Sequence, residues 1–152
     1  MNLELHRALR AARFDDEANR GRRTLFALRC AERVRHLVID ERVLQIMDAA
    51  IAALATAPDN VEALAGDAGE MARIASRHPG TNSIDGSGSA AVSATYAVAK
   101  AMAGDALAAA DYAAYAKVYS YASYMVTHPA AYADEHRWQL ALLVQMMTSG
   151  SS

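Results

Sequence analysis

Apolar residues recur at intervals of three and four along most of the chain, and no segment sustains a two-residue alternation. That is the period of a helix face rather than of a pleated strand. Leu5, Leu9 and Ala12 share one face and predict a first helix over Asn2–Arg13. The acidic run Asp15-Asp16-Glu17 and then Asn19-Arg20-Gly21 read as a break. Thr24 is placed to cap a second helix, Leu25–Val38, whose stripe is Phe26, Cys30, Val34 and Leu37 or Val38. Asp40 is a good cap for a third, since its oxygen can accept from first-turn amides that have no helical partner. Val43, Leu44, Met47, Ile51 and Leu54 then make the clearest amphipathic segment of the chain.

Ala57-Pro58-Asp59-Asn60 ends that helix and starts another, with Val61, Leu64, Ala65, Ala68, Met71, Ile74 and Ala75 on one stripe. Gly66 and Gly69 lie inside it, where glycine weakens a helix by roughly 1 kcal/mol relative to alanine; small residues there would suit the close approach of a neighbour. The segment His78–Gly88 reads as a long loop, because it holds three glycines and a proline. Ser89 is expected to cap a fifth helix to Ala103, and Gly104-Asp105 to break and cap a sixth, which runs to Tyr124 or Val126. Thr127-His128-Pro129 starts the last helix, to Met147, with Tyr132, Leu140, Leu143 and Met147 among its apolar positions. The expectation is an all-α fold: a compact bundle or array of six to seven helices with no sheet, one domain over 1–147 and a disordered tail over 148–152.

Composition supports this reading. The 152 residues include 36 alanines, only two phenylalanines, one tryptophan and three prolines. The chain is rich in the best helix former and poor in the β-branched and aromatic residues that strands favour. A single cysteine, Cys30, excludes an internal disulfide and a multi-cysteine metal site. No apolar run approaches the roughly 18 residues of a membrane span, and the arginine-rich start is not a secretory signal. The expected setting is a bacterial-type cytoplasm, away from membranes.

The net charge of −2 hides an asymmetry, because ten of the 15 basic residues fall within residues 1–42. Those residues balance at +3 and the rest of the chain at −5. Acids at Asp15, Asp16, Glu17, Glu32, Asp40 and Glu41 interrupt every basic stripe, which argues against a nucleic-acid surface. The arginines read as decoration of solvated helix faces.

No constellation of residues points to catalysis. The five histidines form no two-histidine helical pair, and Glu32 with His36 suits a surface contact as well as half a metal site. Gly86-Ser87-Gly88-Ser89-Ala90-Ala91 superficially resembles a phosphate loop, but no strand precedes it. Cys30 lies in an apolar stripe and reads as a structural thiol. No cofactor and no metal ligand is expected. The tyrosines are more informative. Tyr112, Tyr115 and Tyr119 share a face of the sixth helix beside Asp105 and Asp111, with Tyr121 and Tyr124 on other faces. These rings either fill gaps beside alanines or present a surface to a partner.

Two separated motifs carry a family resemblance. Cys30-Ala31-Glu32-Arg33-Val34 follows Leu25-Phe26-Ala27-Leu28-Arg29 on an early helix, and Glu135-His136-Arg137-Trp138-Gln139-Leu140 comes near the end, with an alanine-rich helix pair between. This order resembles the five-like family of immunity proteins from bacterial polymorphic-toxin systems, over residues 20–145. Where that family is proline- and arginine-rich, this chain has Ile39-Asp40-Glu41-Arg42-Val43, and Thr95-Tyr96 stand where histidine is frequent. The resemblance implies a domain that binds a cognate protein toxin and carries no catalytic residues. It also implies packing roles for Cys30, Val34, Trp138 and Leu140, and helix-orienting ion pairs from Glu32, Arg33, Glu135 and Arg137. On this reading Tyr112, Tyr115, Tyr119, Asp105 and Asp111 are the partner-binding residues. Two other readings stay open: a small-ligand or enzymatic pocket lined by Tyr96, Tyr112, Tyr115 and Trp138, and a homo-oligomeric scaffold.

Overall fold

The computed structural model describes residues 2–77 and 86–149, with side chains at 2–77 and 90–148. Of the described residues 84% are helical, and no strand occurs among them. Seven α-helices follow in order: α1 Leu3–Ala11, α2 Arg20–Glu32, α3 Glu41–Thr56, α4 Ala65–Ser76, α5 Gly86–Met102, α6 Ala106–Ala122 and α7 Ala133–Ser149. Short 3-10 turns precede α2, α4 and α7 and follow α2 and α6.

α2 is the central element and packs against α3, α5, α6 and α7. Its sequence explains that position: Phe26, Ala27, Leu28, Cys30 and Ala31 are all buried, so it has no wide polar face. α3 lays the expected stripe against it, with Val43, Met47, Ile51 and Leu54 buried and Ile46 and Ala50 added. Asp40 caps α3 as its position predicts, accepting from the Arg42 amide at 2.9 Å. α5 and α6 form the most extensive helix pair. Their facing residues are mostly alanine, including Ala94, Ala97 and Ala101 on one side and Ala106, Ala109, Ala110 and Ala113 on the other. Small side chains let the two backbones approach closely, so alanine content becomes an interface. Gly104 makes the turn between them at φ +84, a left-handed conformation that costs glycine little.

Several sequence expectations change. α2 begins at Arg20, four residues before Thr24, and Thr24 is buried within it. The supposed break at Gly21 is a packing contact: a Cβ there would lie 1.5 Å from the Pro58 carbonyl oxygen. Conversely, among the described residues Gly66 faces nothing within 4 Å and Gly69 meets only the tip of Arg73, so no neighbour packs closely on either. α5 starts at Gly86 rather than after a Ser89 cap; residues 78–85 of the expected loop lie outside the described residues. α7 continues to Ser149, so Thr148 and Ser149 are helical where a disordered tail was expected; residues 150–152 lie outside the described residues.

The arginines are more than solvated decoration. Arg23 donates to the carbonyls of Gly104 at 2.9 Å and Phe14 at 2.6 Å, tying the α1–α2 connection to the α5–α6 turn. Arg22 donates to the Met146 carbonyl at 3.0 Å and lies over the Phe14 ring. The buried face of α7 is also unlike its apolar reading. It consists of Glu135, Gln139 and Leu143, while Met147 is exposed. Gln139 donates to the Ala110 carbonyl at 2.9 Å and accepts from Asn2 at 3.3 Å; the Asn2 side chain also caps α1 through the Leu5 amide. Among the described residues, no buried side-chain nitrogen or oxygen is left without a partner.

Candidate functional site

Tyr112, Tyr115 and Tyr119 share one side of α6, while buried alanines such as Ala106, Ala109, Ala110 and Ala113 fill its inner side. Tyr112, Tyr115 and Tyr119 are each half-buried, while Tyr121 and Tyr124 are 64% and 78% exposed. Tyr112 packs in part against the core; α6 ends at Ala122, short of the expected Tyr124 or Val126, and Tyr124 lies in the 3-10 turn that follows. Tyr112 meets Tyr96 of α5 edge-on at 5.4 Å between centroids, and Tyr115 lies 5.7 Å from Tyr119. Tyr112, Tyr115 and Tyr119 follow one another at three- and four-residue spacing, so they share one side of α6, and Tyr96 meets the first of them from α5.

Three hollows follow that line and share residues. The first, of about 570 Å³, lies between α4 and the α5–α6 pair and includes Ala72, Ser76, Tyr96, Lys100 and Tyr112. The second, about 380 Å³, is lined by Ser93, Ala108, Asp111, Tyr112 and Tyr115. The third, about 200 Å³, is lined by Asp111, Ala114, Tyr115, Tyr132 and His136. Tyr112 joins the first to the second; Asp111 and Tyr115 join the second to the third. Together they outline a groove open to solvent and lined chiefly by tyrosine and alanine.

The electrostatics centre on Asp111. Burial raises its carboxyl above the ordinary carboxylate range, opposed by the positive amino terminus and by a hydrogen bond from the Asn2 backbone amide. His136 is shifted the other way: burial and the amino terminus lower it, while Asp111 pulls it back up. Tyr132 stacks on His136 at 5.7 Å and donates its hydroxyl to the Val126 carbonyl at 2.6 Å. Burial, chiefly, also raises the Tyr132 hydroxyl.

Of the five residues expected at a partner surface, Asp111, Tyr112 and Tyr115 lie together in the groove, with Tyr119 beside Tyr115. Asp105 does not join them. It caps α6 by accepting from the Ala108 amide at 3.1 Å, and it borders a separate hollow with His6, Phe14 and Arg23. Of the alternative pocket set, Tyr96, Tyr112 and Tyr115 converge, but Trp138 lies under the Arg33 guanidinium, 4.5 Å from its ring centre. Sequence spacing missed Ser93, Tyr132 and His136, because they reach the groove from α5 and from the α6–α7 region through tertiary packing.

The two motifs behind the family resemblance meet directly. Arg33 makes a two-point ion pair with Glu135 at 2.7 and 3.1 Å, and the same guanidinium stacks on Trp138. Glu32 and Arg137 instead pair within their own segments, with Arg29 and Asp134. Cys30 is buried beneath this junction; burial, aided by the Glu135 charge, pushes its thiol far up, so it is held as an unreactive thiol. Among the described residues no group of three or more histidines, cysteines or carboxylates is placed to hold a metal ion. Comparison with protein-family models, curated proteins and solved structures finds no match to this chain.

Proposed function

We propose that this chain is an immunity protein, a cytoplasmic helical domain that binds a cognate bacterial toxin and blocks it by surface complementarity. The observation that carries the reading is the groove along α6, where Tyr112 and Tyr115 flank the half-buried Asp111 and Tyr96 packs against Tyr112. Tyrosine offers large contact area with few rotatable bonds, and it is enriched where interfaces concentrate their energy. The alanine interface behind the rings holds α6 rigid, so little ordering is needed on binding. The −5 balance of residues 43–152 favours encounter with a basic partner. The resemblance of the two motifs to the five-like immunity family supports the same conclusion.

The test is co-expression with the product of the open reading frame beside its gene. Restored growth of cells that express a toxic neighbour, with a complex isolated from them, is the expected result. A wild-type chain that binds no adjacent gene product ends the reading. The contact between Tyr96 and Tyr112 also favours a small aromatic or amine ligand as a second reading. Thermal stabilisation by such a ligand, with no toxin bound, would establish it. A mass that rises with concentration would instead point to self-association.

A further inference from the structure

Asp111 is the only acid within α6, set in a run of alanines and tyrosines. It borders two of the three hollows, with Tyr112 and Tyr115 on one side and Tyr115, Tyr132 and His136 on the other. Among the described residues, no arginine or lysine forms an ion pair with it. Burial strips away part of the carboxylate's water, and this outweighs the amino terminus, the Asn2 amide and His136, each of which favours the charged form. A carboxylate held in that way gains from a cation more than an exposed one does, because the desolvation cost has already been met in folding. Aromatic faces beside it attract the same cation through their ring electrons.

We propose that the hollow formed by Ser93, Asp111, Tyr112 and Tyr115 receives an arginine or lysine side chain of the protein partner, an inference that rests on the partner-binding reading above. The volume of about 380 Å³ is ample for a guanidinium and its stem. The carboxylate supplies the counter-charge and the tyrosines supply flat surfaces. A guanidinium suits this arrangement best, since its planar fork can bond the carboxylate while its face lies on a ring. Asp111 is then a half-buried specificity contact rather than a steering charge at the rim, and removing it would act on dissociation more than on association.

The experiment titrates the full chain, with isotopically labelled tyrosine rings, against Nα-acetyl-arginine amide and its neutral citrulline counterpart. The arginine derivative is expected to shift the Tyr112 and Tyr115 resonances, with the citrulline compound weaker by about tenfold. Asp111→Asn should reduce arginine binding by about tenfold while the circular dichroism stays helical. Tyr115→Leu keeps the carboxylate and much of the apolar bulk, and should weaken binding by roughly threefold; it carries the test if the asparagine variant loses its fold. Equal shifts from both compounds, no shifts at all, or unchanged affinity in the folded variants would overturn the proposal. The probe needs no toxin, so these outcomes leave the immunity reading standing. A chain that takes up the probe but binds no adjacent gene product would overturn that reading instead.

Discussion

Arg33 and Glu135 are 102 residues apart in the chain and form a two-point ion pair in the fold, with the Arg33 guanidinium lying over Trp138. Glu135 is 6% exposed, and the Arg33 side chain about one third. The pair fastens the C-terminal end of α2 to the first turns of α7. Removing the cation leaves a buried carboxylate uncompensated, which costs more than the intact pair contributes. Arg33→Ala should therefore destabilise the protein by about 2–3 kcal/mol, allowing for the partial exposure of the arginine. Glu135→Gln should cost less, because its amide oxygen can still accept from Arg33. Urea denaturation of the two variants checks the order; a larger loss for Glu135→Gln would contradict it.

Two glycines should respond to alanine with opposite signs. At Gly21 the added methyl would collide with the Pro58 backbone, which cannot give way as a flexible side chain would. Gly21→Ala should cost about 3 kcal/mol, near the upper end for overpacking. Gly66 stands in α4 with nothing within 4 Å of the added carbon, so Gly66→Ala should stabilise by roughly 0.5–1 kcal/mol. Thermal melts of both variants read the difference directly.

Met47 and Ile51 lie in the middle of α3 and are buried. Met47→Ala or Ile51→Ala should each cost about 2–5 kcal/mol through lost transfer energy and a residual cavity. Chemical denaturation measures it, and an unchanged midpoint in either variant would displace the face assigned to α3.

The groove tyrosines should carry binding energy out of proportion to their number. Tyr115→Ala combined with Tyr119→Ala is expected to weaken toxin binding by about 2 kcal/mol or more while helicity is retained. Calorimetry on the isolated complex gives the affinity, and full protection of cells by the folded double variant would move the interface off α6.

His136 provides a pH signature of the groove. Burial lowers its titration below the ordinary 6.5, and the Asp111 charge partly restores it. The native state thus binds fewer protons at this site than the unfolded chain does. Its contribution to stability is full above the unfolded value and falls away as pH drops through 6.5 towards the lowered native value. NMR titration should place His136 below 6.5, and Asp111→Asn should lower it further by removing the restoring charge. An upward movement in that variant would mean that Asp111 does not act on His136.

The helical class was legible in the sequence because it depends on local quantities: apolar spacing, alanine content and caps such as Asp40 and Asp105. Val43, Met47, Ile51 and Leu54 occupy the face that their spacing predicts, since a helix period turns position directly into direction. The cluster of tyrosines on α6 was legible for the same reason. Tertiary packing decided what spacing cannot express. Gly21 and Gly66 are the same residue on similar helices, yet only Gly21 meets another backbone, supplied by Pro58 from a distant segment. Glu135 and Gln139 are polar, yet with Leu143 they form the buried side of α7, because Arg33, Asn2 and the Ala110 carbonyl satisfy them. Asp105 and Asp111 looked alike beside the tyrosines, but one closes a helix end and the other sits in the groove with His136 and Tyr132. Burying a polar group is favourable only when its partner arrives, and partners come from across the fold.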